Sequence, residues 1–485
     1  MSYLNRIKTQ IETELGNPFD LVVRPFRLRM CDSALDGFLF FIRGIVNEVE
    51  IEETLINSLQ TEQKALTSDD SLSRLATEAL HIKNFHTHPV EEINPIIQGI
   101  LEGNTIIVID GKEEVLLAVT SEWVSRAVTT PESQRVLRGP NIAFNEDYLS
   151  NIALLRGIIK NKNLTFDQYS IGEKTQTKVC LVYLRDMVDQ DILKEIRKRV
   201  ANIDASQVLD SNYIEEYIHD DFFTPFPLVL NTDRPDMVAA ELMSRKIAII
   251  VEGTAYTLVG PAPLITFLQT SDDYYFKWNL FFNRILRLIS IVIGVYIPAL
   301  YIALSNFHPG FIPFDLLVSL AGQRENKPLP LVIEVILFIF ILTIIVESAL
   351  RLQKSLVLSI SLLGTIILGQ AAIESGIVQP ATLMVVSVSF VLGFASPVQT
   401  LETPIRILRY LLVVTGAIMG LFGIIITTIV LIFHLSNLRS FGIPYLAPLA
   451  PFNKRDQKDT LVRFSLTKII NNKKSLHKEE PYKKK

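Results

Sequence analysis

The stretch ILRLISIVIGVYIPALYIAL, residues 285–304, is the first part of the chain that is apolar over the length of a membrane helix. A hydrocarbon core about 30 Å thick requires roughly 20 apolar residues in helical form. Four more apolar segments follow it, at Leu331–Val346, Leu356–Ile373, Ile377–Ser396 and Tyr410–Leu435. The preceding residues contain no such segment, so the sequence predicts a large aqueous region followed by an α-helical transmembrane bundle.

The composition supports this division. The chain has 485 residues, of which 49% are hydrophobic, and a formal net charge of −4, which is too small to indicate a nucleic-acid partner. Its two cysteines, Cys31 and Cys180, are far apart and fit a reducing compartment rather than a disulfide framework. The polar stretch Met1–Asn17 has no signal-peptide pattern. We therefore expect the N-terminal region to be cytoplasmic.

The N-terminal region is predicted to be α+β, in two subdomains. The first, residues 1–144, has predicted strands and helices at Leu21–Phe26, Phe38–Ile42, Ile45–Leu59, Ser71–Asn84, Glu91–Leu101, Thr105–Ile109 and Glu114–Thr120. Asp110-Gly111 joins the last two as a hairpin turn.

The second subdomain, residues 145–268, repeats the pattern. Its predicted elements are Glu146–Lys160, Lys178–Leu184, Asp189–Val200, Phe226–Leu230, Pro235–Met243, Lys246–Val251 and Thr254–Val259. Both halves end in a helix, a strand, an acid-Gly turn and a strand, as in GNTIIVIDGKEEVLLAV and SRKIAIIVEGTAYTLVG. This pattern indicates either a repeated subdomain or two unrelated hairpins. Residues 269–284 would link this region to the membrane.

The membrane domain is predicted to span residues 285–437 with four or five helices, followed by a basic tail at 438–485. Arg351 with Lys354, and Arg406 with Arg409, lie in predicted cytoplasmic loops. Five complete crossings would put the tail outside, although residues 454–485 hold 11 Lys/Arg against 4 Asp/Glu. A cytoplasmic tail and one incomplete crossing resolve this conflict. The tail is either solvated or a contact for anionic membrane lipids.

The third apolar segment carries a stripe of polar residues. At about 100° per residue, its pore-lining candidates share one helix face: Ser359, Leu363, Ile366, Gln370 and Glu374. In a symmetric homo-oligomer this face would line a water path, with Leu363 and Ile366 as a constriction. Alternatively, the polar side chains form hydrogen bonds with neighbouring helices.

Two acids bracket the second segment. Glu334 is a candidate intramembrane acid, for an ion or proton relay inside the bundle, or else an interfacial carboxylate. Glu347 is predicted to lie at the interface.

The chain carries no recognisable catalytic motif. Nucleotide-binding, hydrolase and zinc-site patterns are missing from the sequence, so we expect no enzyme activity, no cofactor and no metal site. His86 and His88 lack a third ligand at a recognisable spacing and are predicted to lie in a surface linker. Thr232 or Asp233 could cap the helix that begins at Pro235.

Several longer strings resemble one family. They are RVLRGP, NIALLRGIIKNKNL, LDSNYIEEYI, PFPLVLNTDRPDMVAAELMSRKIAIIVEGTAY, IPALYIALSNFHPGFIPFDLL, GQAAIESGIVQP and LRSFGIPYLAPLAPF. Together they resemble the GerA family of spore germination proteins, the A subunits of nutrient-germinant receptors. The resemblance covers most of the chain, from about Phe19 to Phe452.

The resemblance implies a receptor subunit in the inner membrane of a bacterial endospore. Its partners would be a transporter-like B subunit and a lipoprotein C subunit, and the A subunit would oligomerise into a ligand-gated cation channel. Three alternatives stay open: a secondary transporter, a scaffold, and a related spore membrane protein that amplifies the signal. A transporter usually shows inverted repeats, and the five segments show no convincing symmetry.

Overall fold

The structure is a computed structural model. It describes residues 3–29, 34–52, 71–80, 82, 84–122, 130–131, 134, 136, 139–221, 223–269, 280–325, 327–350 and 369–452. The chain forms two compact units. Unit 1 comprises Met1–Asp220 and Val229–Pro261, and unit 2 comprises Asp221–Leu228 and Ala262–Lys485.

The first half of unit 1 is built on an antiparallel sheet with strand order β1-β2-β4-β5-β3. The strands are β1 (Leu21–Arg29), β2 (Ala34–Ile42), β3 (Phe85–Pro89), β4 (Thr105–Ile109) and β5 (Glu114–Ala118). The helices are α1 (Tyr3–Leu15), α2 (Glu48–Glu50), α3 (Leu72–Arg74) and α4 (Ile93–Leu101), with a π-helical turn at Leu75–Ala79. One apolar face of α1 packs into the same core as the sheet.

The second half of unit 1 has the same architecture. Its strand order is β6-β7-β9-β10-β8, again antiparallel. The strands are β6 (Leu164–Ile171), β7 (Thr177–Leu184), β8 (Leu230–Thr232), β9 (Ile247–Val251) and β10 (Thr257–Gly260). The helices are α5 (Tyr148–Ile158), α6 (Gln190–Ala201), α7 (Ser211–Ile218) and α8 (Pro235–Leu242).

The two sheets correspond strand by strand. In each half a helix joins the third strand to the fourth, and an acid-Gly turn joins the fourth to the fifth. A repeated subdomain predicts this shared strand order. Two unrelated hairpins would not require it.

Several predicted elements in unit 1 were wrong in detail. His86 and His88 lie in the edge strand β3, which pairs with β5, and not in a linker. The helix predicted at Ile45–Leu59 begins only at Glu48, because the Asn47 side chain caps it by accepting from the Glu50 N–H. Residues 53–70 lie outside the described part. α1 and β6 were not predicted at all.

The strand predicted at Phe226–Leu230 begins only at Leu230. Pro225 and Pro227 lack the N–H groups that a strand would donate. The expected cap of α8 was also wrong, since Arg234 is the residue that precedes its first turn and it forms no side-chain cap. Pro235 does occupy the first turn, as predicted.

A buried ion pair joins the two halves of unit 1. Arg156 of α5 donates from Nε and Nη2 to the two carboxylate oxygens of Asp20, at 2.9 and 3.0 Å. Both side chains are 1% exposed or less. Arg156 also donates to the carbonyl of Leu164 at 3.1 Å and lies over the ring of Phe166. The guanidinium therefore makes three hydrogen bonds in a buried site.

Arg234 has a comparable structural role in the NTDRPD stretch. It is completely buried, pairs with Asp236 at 2.9 Å, and donates to the carbonyls of Gln134 and Pro140. The fold thus uses this arginine to hold the preceding loop against the start of α8.

The carboxyl of Glu215 in α7 has a pKa close to neutral pH. Burial, together with the neighbouring carboxylates of Glu216 and Asp210, raises its pKa from 4.5 to about 7. Between those two pH values the folded chain holds a proton that the unfolded chain has lost. Stability from this group is therefore complete below about pH 4.5 and is lost as the pH rises through 7.

We predict that Glu215→Gln gains stability relative to the unmodified chain as the pH is raised from 5 to 8. Urea unfolding of the full chain in micelles at both pH values measures this. Glu114→Gln, at an exposed position in β5, serves as the control and should give no such divergence. Parallel pH profiles for the unmodified chain and Glu215→Gln would contradict the assignment.

Unit 2 consists mainly of helices. They are α9 (Leu264–Leu268), α10 (Leu280–Phe307), α11 (Phe314–Arg324), α12 (Leu331–Leu350), α13 (Pro380–Gly393) and α14 (Glu402–Asn437). Two short 3-10 turns lie at Pro309–Phe311 and Gln399–Leu401, and residues 369–374 are helical. A small hairpin follows, formed by β11 (Arg439–Ser440) and β12 (Ile443–Pro444).

Within the part of the chain that the structure describes, three stretches are long and apolar enough to cross a membrane: Arg284–Phe307, Leu331–Ala349 and Gln399–Asn437. The fourth predicted segment, Ile377–Ser396, is helical only from Pro380 to Gly393. Gln379 precedes its first turn in an extended conformation, as is common before proline.

α14 is interrupted at Gly420, whose φ of 60° and ψ of −141° are not helical. The hydroxyl oxygens of Thr415 and Thr427 lie 3.0 Å apart. Twelve residues of continuous helix would separate them by about 18 Å. The chain therefore reverses at Gly420, and α14 is a hairpin of two arms, residues 402–419 and 421–437.

The first arm runs in the same direction as α10. The Nε of Arg409 lies 3.3 Å from the carbonyl of Gly294, and Gly420 lies beside Phe307. After the turn the second arm runs back, since Thr428 reaches the hydroxyl of Tyr296 at 3.0 Å. Two expectations are corrected here. The Tyr410–Leu435 segment is not one crossing helix, and Arg406 and Arg409 belong to a helix rather than to a loop.

Candidate functional site in the membrane unit

The first polar cluster in unit 2 is centred on Glu334. This residue lies in the first turn of α12 and is 0% exposed. Its Oε2 accepts from the Thr382 hydroxyl at 3.0 Å and from the Gln379 N–H at 3.4 Å. The Tyr301 hydroxyl of α10 donates to Gln379 Oε1 at 3.4 Å. Side chains of α10, α12 and α13 thus converge on one carboxylate, which we call the Glu334 cluster.

One oxygen of this carboxylate is not used by the fold. Glu334 Oε1 is buried and has no hydrogen-bond partner among the described residues. A buried carboxylate costs free energy unless a proton, a cation or donor groups compensate it. The carboxylate of Glu334 lies against the N-terminal end of the neighbouring helix α13, where the helix dipole favours negative charge. The role of Glu334 as an intramembrane acid stays a prediction.

The second cluster is centred on Arg409 in the first arm of α14. The residue is 4% exposed. It donates to the carbonyls of Gly294 and Ser389 at 3.3 and 3.2 Å, and its guanidinium lies 4.4 Å from the ring centroid of Phe390. Arg409 therefore ties α10 and α13 to α14 through neutral groups. It also lines a small cavity with Arg406.

The predicted pore residues are only partly described. Ser359, Leu363 and Ile366 lie outside the described residues. Gln370 and Glu374 both lie in the helical stretch 369–374, one turn apart, and both are exposed on the single chain. They are therefore not part of the buried Glu334 cluster, and their role stays a prediction.

Sequence reasoning found Glu334 and missed its partners. An acid inside an apolar run is a visible signal, whereas Tyr301, Gln379 and Thr382 come from other segments and look unremarkable in sequence. Arg409 was assigned to a loop by its positive charge. The helical spacing of Glu402, Arg406 and Arg409 was the sequence signal for a helix at this position. In the structure Arg406 forms an ion pair with Glu402 at 3.3 Å.

Comparison with known proteins places this architecture in a family. The family model described as "Bacillus/Clostridium GerA spore germination protein" matches residues 9–475 of the chain. The chain belongs to the GerA family of spore germination proteins. The resemblance predicted from the sequence motifs is thereby confirmed.

The GerA assignment is supported by relatives matched over nearly their whole length. "Spore germination protein KA" of Bacillus subtilis is 33% identical over 94% of this chain and 83% of its own length. "Spore germination protein GerLA" of Bacillus cereus is 33% identical over 95% of this chain and 93% of its own length.

A crystal structure is also similar to part of the chain. It is the N-terminal domain of the A subunit of the Bacillus megaterium spore germinant receptor GerK3. It shares 32% identity, covers 53% of this chain and 93% of the crystallised chain, and gives a TM-score of 0.42. The elements of this GerA-family chain confirm the predicted fold class, an α+β N-terminal region followed by helices apolar enough to cross a membrane.

Proposed function

We propose that this protein is the A subunit of a nutrient-germinant receptor, and that it conducts cations as a homo-oligomeric, ligand-gated channel. In this role the chain converts nutrient sensing into ion release. The family membership supports the receptor role, because relatives of this length carry spore germination names. The channel role has a separate basis in unit 2.

The observation that carries the channel proposal is the exposed polar pair on the third apolar segment. Gln370 and Glu374 share one face of a stretch that adjoins the apolar run 356–368, and both face away from the chain's own core. Polar side chains at membrane depth are costly unless they meet protein or water. Copies arranged around an axis would give them a shared aqueous path, with Leu363 and Ile366 as its constriction.

The proposed orientation places unit 1 and the basic tail on the cytoplasmic side, facing the spore core. Counting the two arms of the hairpin at Gly420 as separate passes would give six apolar passes, an even number, which supports a cytoplasmic tail. The N–H of Leu264, before α10, donates to the carbonyl of Tyr445, after α14, at 2.8 Å. Segments before the first pass and after the last are thus neighbours, which supports this orientation.

The proposed assembly lies in the inner membrane of the endospore. Its partners would be a transporter-like B subunit, which would bind the nutrient, and a lipoprotein C subunit. Membrane lipids would surround unit 2. The exposed apolar residues of α13 and α14, such as Val391 and Ile418, suit such a lipid or subunit environment.

The deciding experiment is reconstitution of the full chain in liposomes with single-channel recording. Unitary cation currents are expected. Leu363→Ser and Ile366→Ser should raise the resting open probability at least about tenfold, which corresponds to about 1.4 kcal/mol in the gating equilibrium. The physical reason is that a hydroxyl at the constriction lowers the cost of hydrating it.

Val391→Ser is the matched control, since it changes an apolar residue of α13 that is 68% exposed and outside the proposed constriction. Its resting open probability should equal that of the unmodified chain. Saturable, coupled solute uptake without unitary currents would support the transporter alternative. Mild destabilisation without leak in both serine variants would support a scaffold.

A further inference from the structure

The chain passes between the two units three times. Residues 221–228 belong to unit 2, residues 229–261 return to unit 1, and the chain re-enters unit 2 at Ala262. The excursion 229–261 carries β8, α8, β9 and β10. This part of unit 1 is therefore covalently attached to the membrane unit at both of its ends. The backbone at Leu228 and at Ala262 therefore connects the excursion directly to unit 2.

One buried hydroxyl bridges these two attachment points. Ser440, in β11, is 0% exposed. Its Oγ accepts from the N–H of Ala262 at 2.9 Å and donates to the carbonyl of Leu228 at 2.6 Å. Leu228 is the last residue before the excursion and Ala262 the first after it. The hydroxyl thus closes the base of the excursion with two hydrogen bonds.

An aromatic group supports the same joint. Tyr445 is 0% exposed and packs against the rings of Phe226 and Phe267, with centroids 6.2 and 6.4 Å apart. Its carbonyl accepts from the N–H of Leu264 at 2.8 Å, and its N–H donates to the carbonyl of Leu438 at 2.9 Å. Both flanks of the excursion are therefore held by residues 438–445, which we call the clasp.

The clasp continues directly from the second arm of α14. His434, in the last turn of that arm, forms a 3.0 Å hydrogen bond with the hydroxyl of Thr224 and lies 6.1 Å from the ring of Phe226. Leu438 follows the arm without a gap. Hydrogen bonds and aromatic contacts thus connect the two flanks of the excursion to the end of the last helical arm.

We infer that the clasp is the joint that transmits movement of the 229–261 excursion to α14, with Ser440 as its positioning residue. This inference rests on the proposed function, since it assumes a signal that passes from unit 1 to the membrane helices. A buried hydrogen-bonded joint suits this purpose, because buried polar groups left unpaired are costly and the joint therefore moves as one body. Without the hydroxyl, the two flanks could shift independently of α14.

The test uses spores in which the intact receptor containing this chain is the only nutrient receptor. Germination rate is measured against graded dilutions of a rich nutrient broth, and receptor abundance is measured by immunoblot. Ser440→Ala is expected to lower the maximal rate per receptor at least about tenfold, with little change in the half-maximal broth dilution. Thr224→Val removes the bond to His434 and the bond that the same hydroxyl accepts from the N–H of Phe226 at 3.2 Å. It should lower the maximal rate in the same direction by a smaller factor.

Ser436→Ala is the matched control, because its hydroxyl donates only to the carbonyl of Ile432 within its own helix, at 2.7 Å. Its rate per receptor should equal that of the unmodified chain. A role confined to stability would lower abundance and leave the rate per receptor unchanged. Rates per receptor within about twofold of the unmodified chain for both Ser440→Ala and Thr224→Val would overturn the inference.

Combination with a pore variant separates this inference from the proposed function. Leu363→Ser acts downstream of the clasp, so its leak should persist in the Leu363→Ser/Ser440→Ala double variant. A leak that disappears in the double variant would overturn the proposed order of transmission. No leak in Leu363→Ser alone would refute the channel proposal and not the clasp.

Discussion

Replacing Arg156 with methionine is expected to destabilise unit 1 by about 3–5 kcal/mol. The bidentate pair with Asp20, at 2.9 and 3.0 Å, lies where neither side chain is more than 1% exposed. Methionine fills a similar volume and leaves the Asp20 carboxylate without its cation. The large cost comes from that uncompensated buried charge, rather than from the attraction itself.

Cys180 provides a direct reporter of this loss. Its thiol is 0% exposed in β7, and burial raises its pKa, so a thiol reagent reaches it only when the sheet opens. In a Cys31→Ser background, Arg156→Met should accelerate labelling of Cys180 by roughly two to three orders of magnitude, at about 1.4 kcal/mol per factor of ten.

A matched control exists in the same unit. Arg27 and Asp36 form a 2.6 Å ion pair whose side chains are 66% and 52% exposed. Arg27→Met should change the labelling rate by less than about fivefold, since exposed pairs contribute about 1 kcal/mol or less. The double variant Asp20→Asn/Arg156→Met should recover part of the loss. Equal effects at the buried and exposed pairs would contradict this account.

Gly420→Ala is expected to destabilise the hairpin of α14. At φ 60° and ψ −141° the backbone occupies a region that side-chain-bearing residues avoid, at a cost of about 1–3 kcal/mol. A Cβ built there also lies 3.0 Å from the Cβ of Phe307 and 3.1 Å from His308 Cε1. Strain and overlap therefore act together. Relaxation towards a straight helix would separate the two arms of α14.

The hairpin itself can be measured by disulfide formation. In a chain whose two native cysteines are replaced by serine, the pair Thr415→Cys and Thr427→Cys should oxidise efficiently, because the native hydroxyls are 3.0 Å apart. Gly420→Ala should reduce that yield several-fold.

Gly322→Ala in α11 is the control for Gly420→Ala, since a Cβ there meets no atom within 4 Å. It should leave the disulfide yield unchanged. Absence of the disulfide in the unmodified hairpin would contradict the reversal at Gly420.

The fold was predictable from sequence wherever local signals are strong. The turns at Asp110-Gly111 and Glu252-Gly253, flanked by apolar runs, correctly predicted both hairpins and pointed to the repeat. The hairpin of α14 was not predictable in the same way. A single glycine such as Gly420 inside a long apolar run has the same sequence appearance as Gly416, which stays helical.

The candidate site was likewise predictable only where a residue gives a local signal in the sequence. Glu334 stands out in sequence because its charge is out of place in an apolar segment. Its hydrogen-bond partners Gln379 and Thr382, and Tyr301, which contacts both of them, come from other segments of the chain. Only tertiary packing determines which polar residues meet. The Ser440 joint was missed for the same reason, since its hydrogen-bond partners are 178 and 212 residues away in the chain.

The two sheets of unit 1 share one strand order but differ in how the chain enters and leaves them. In the second copy the last three strands lie on a loop that both starts and finishes at the membrane unit. The first copy has no such tether among the described residues. The same architecture therefore accommodates a passage of the backbone through the membrane unit in the middle of one sheet, between β7 and β8.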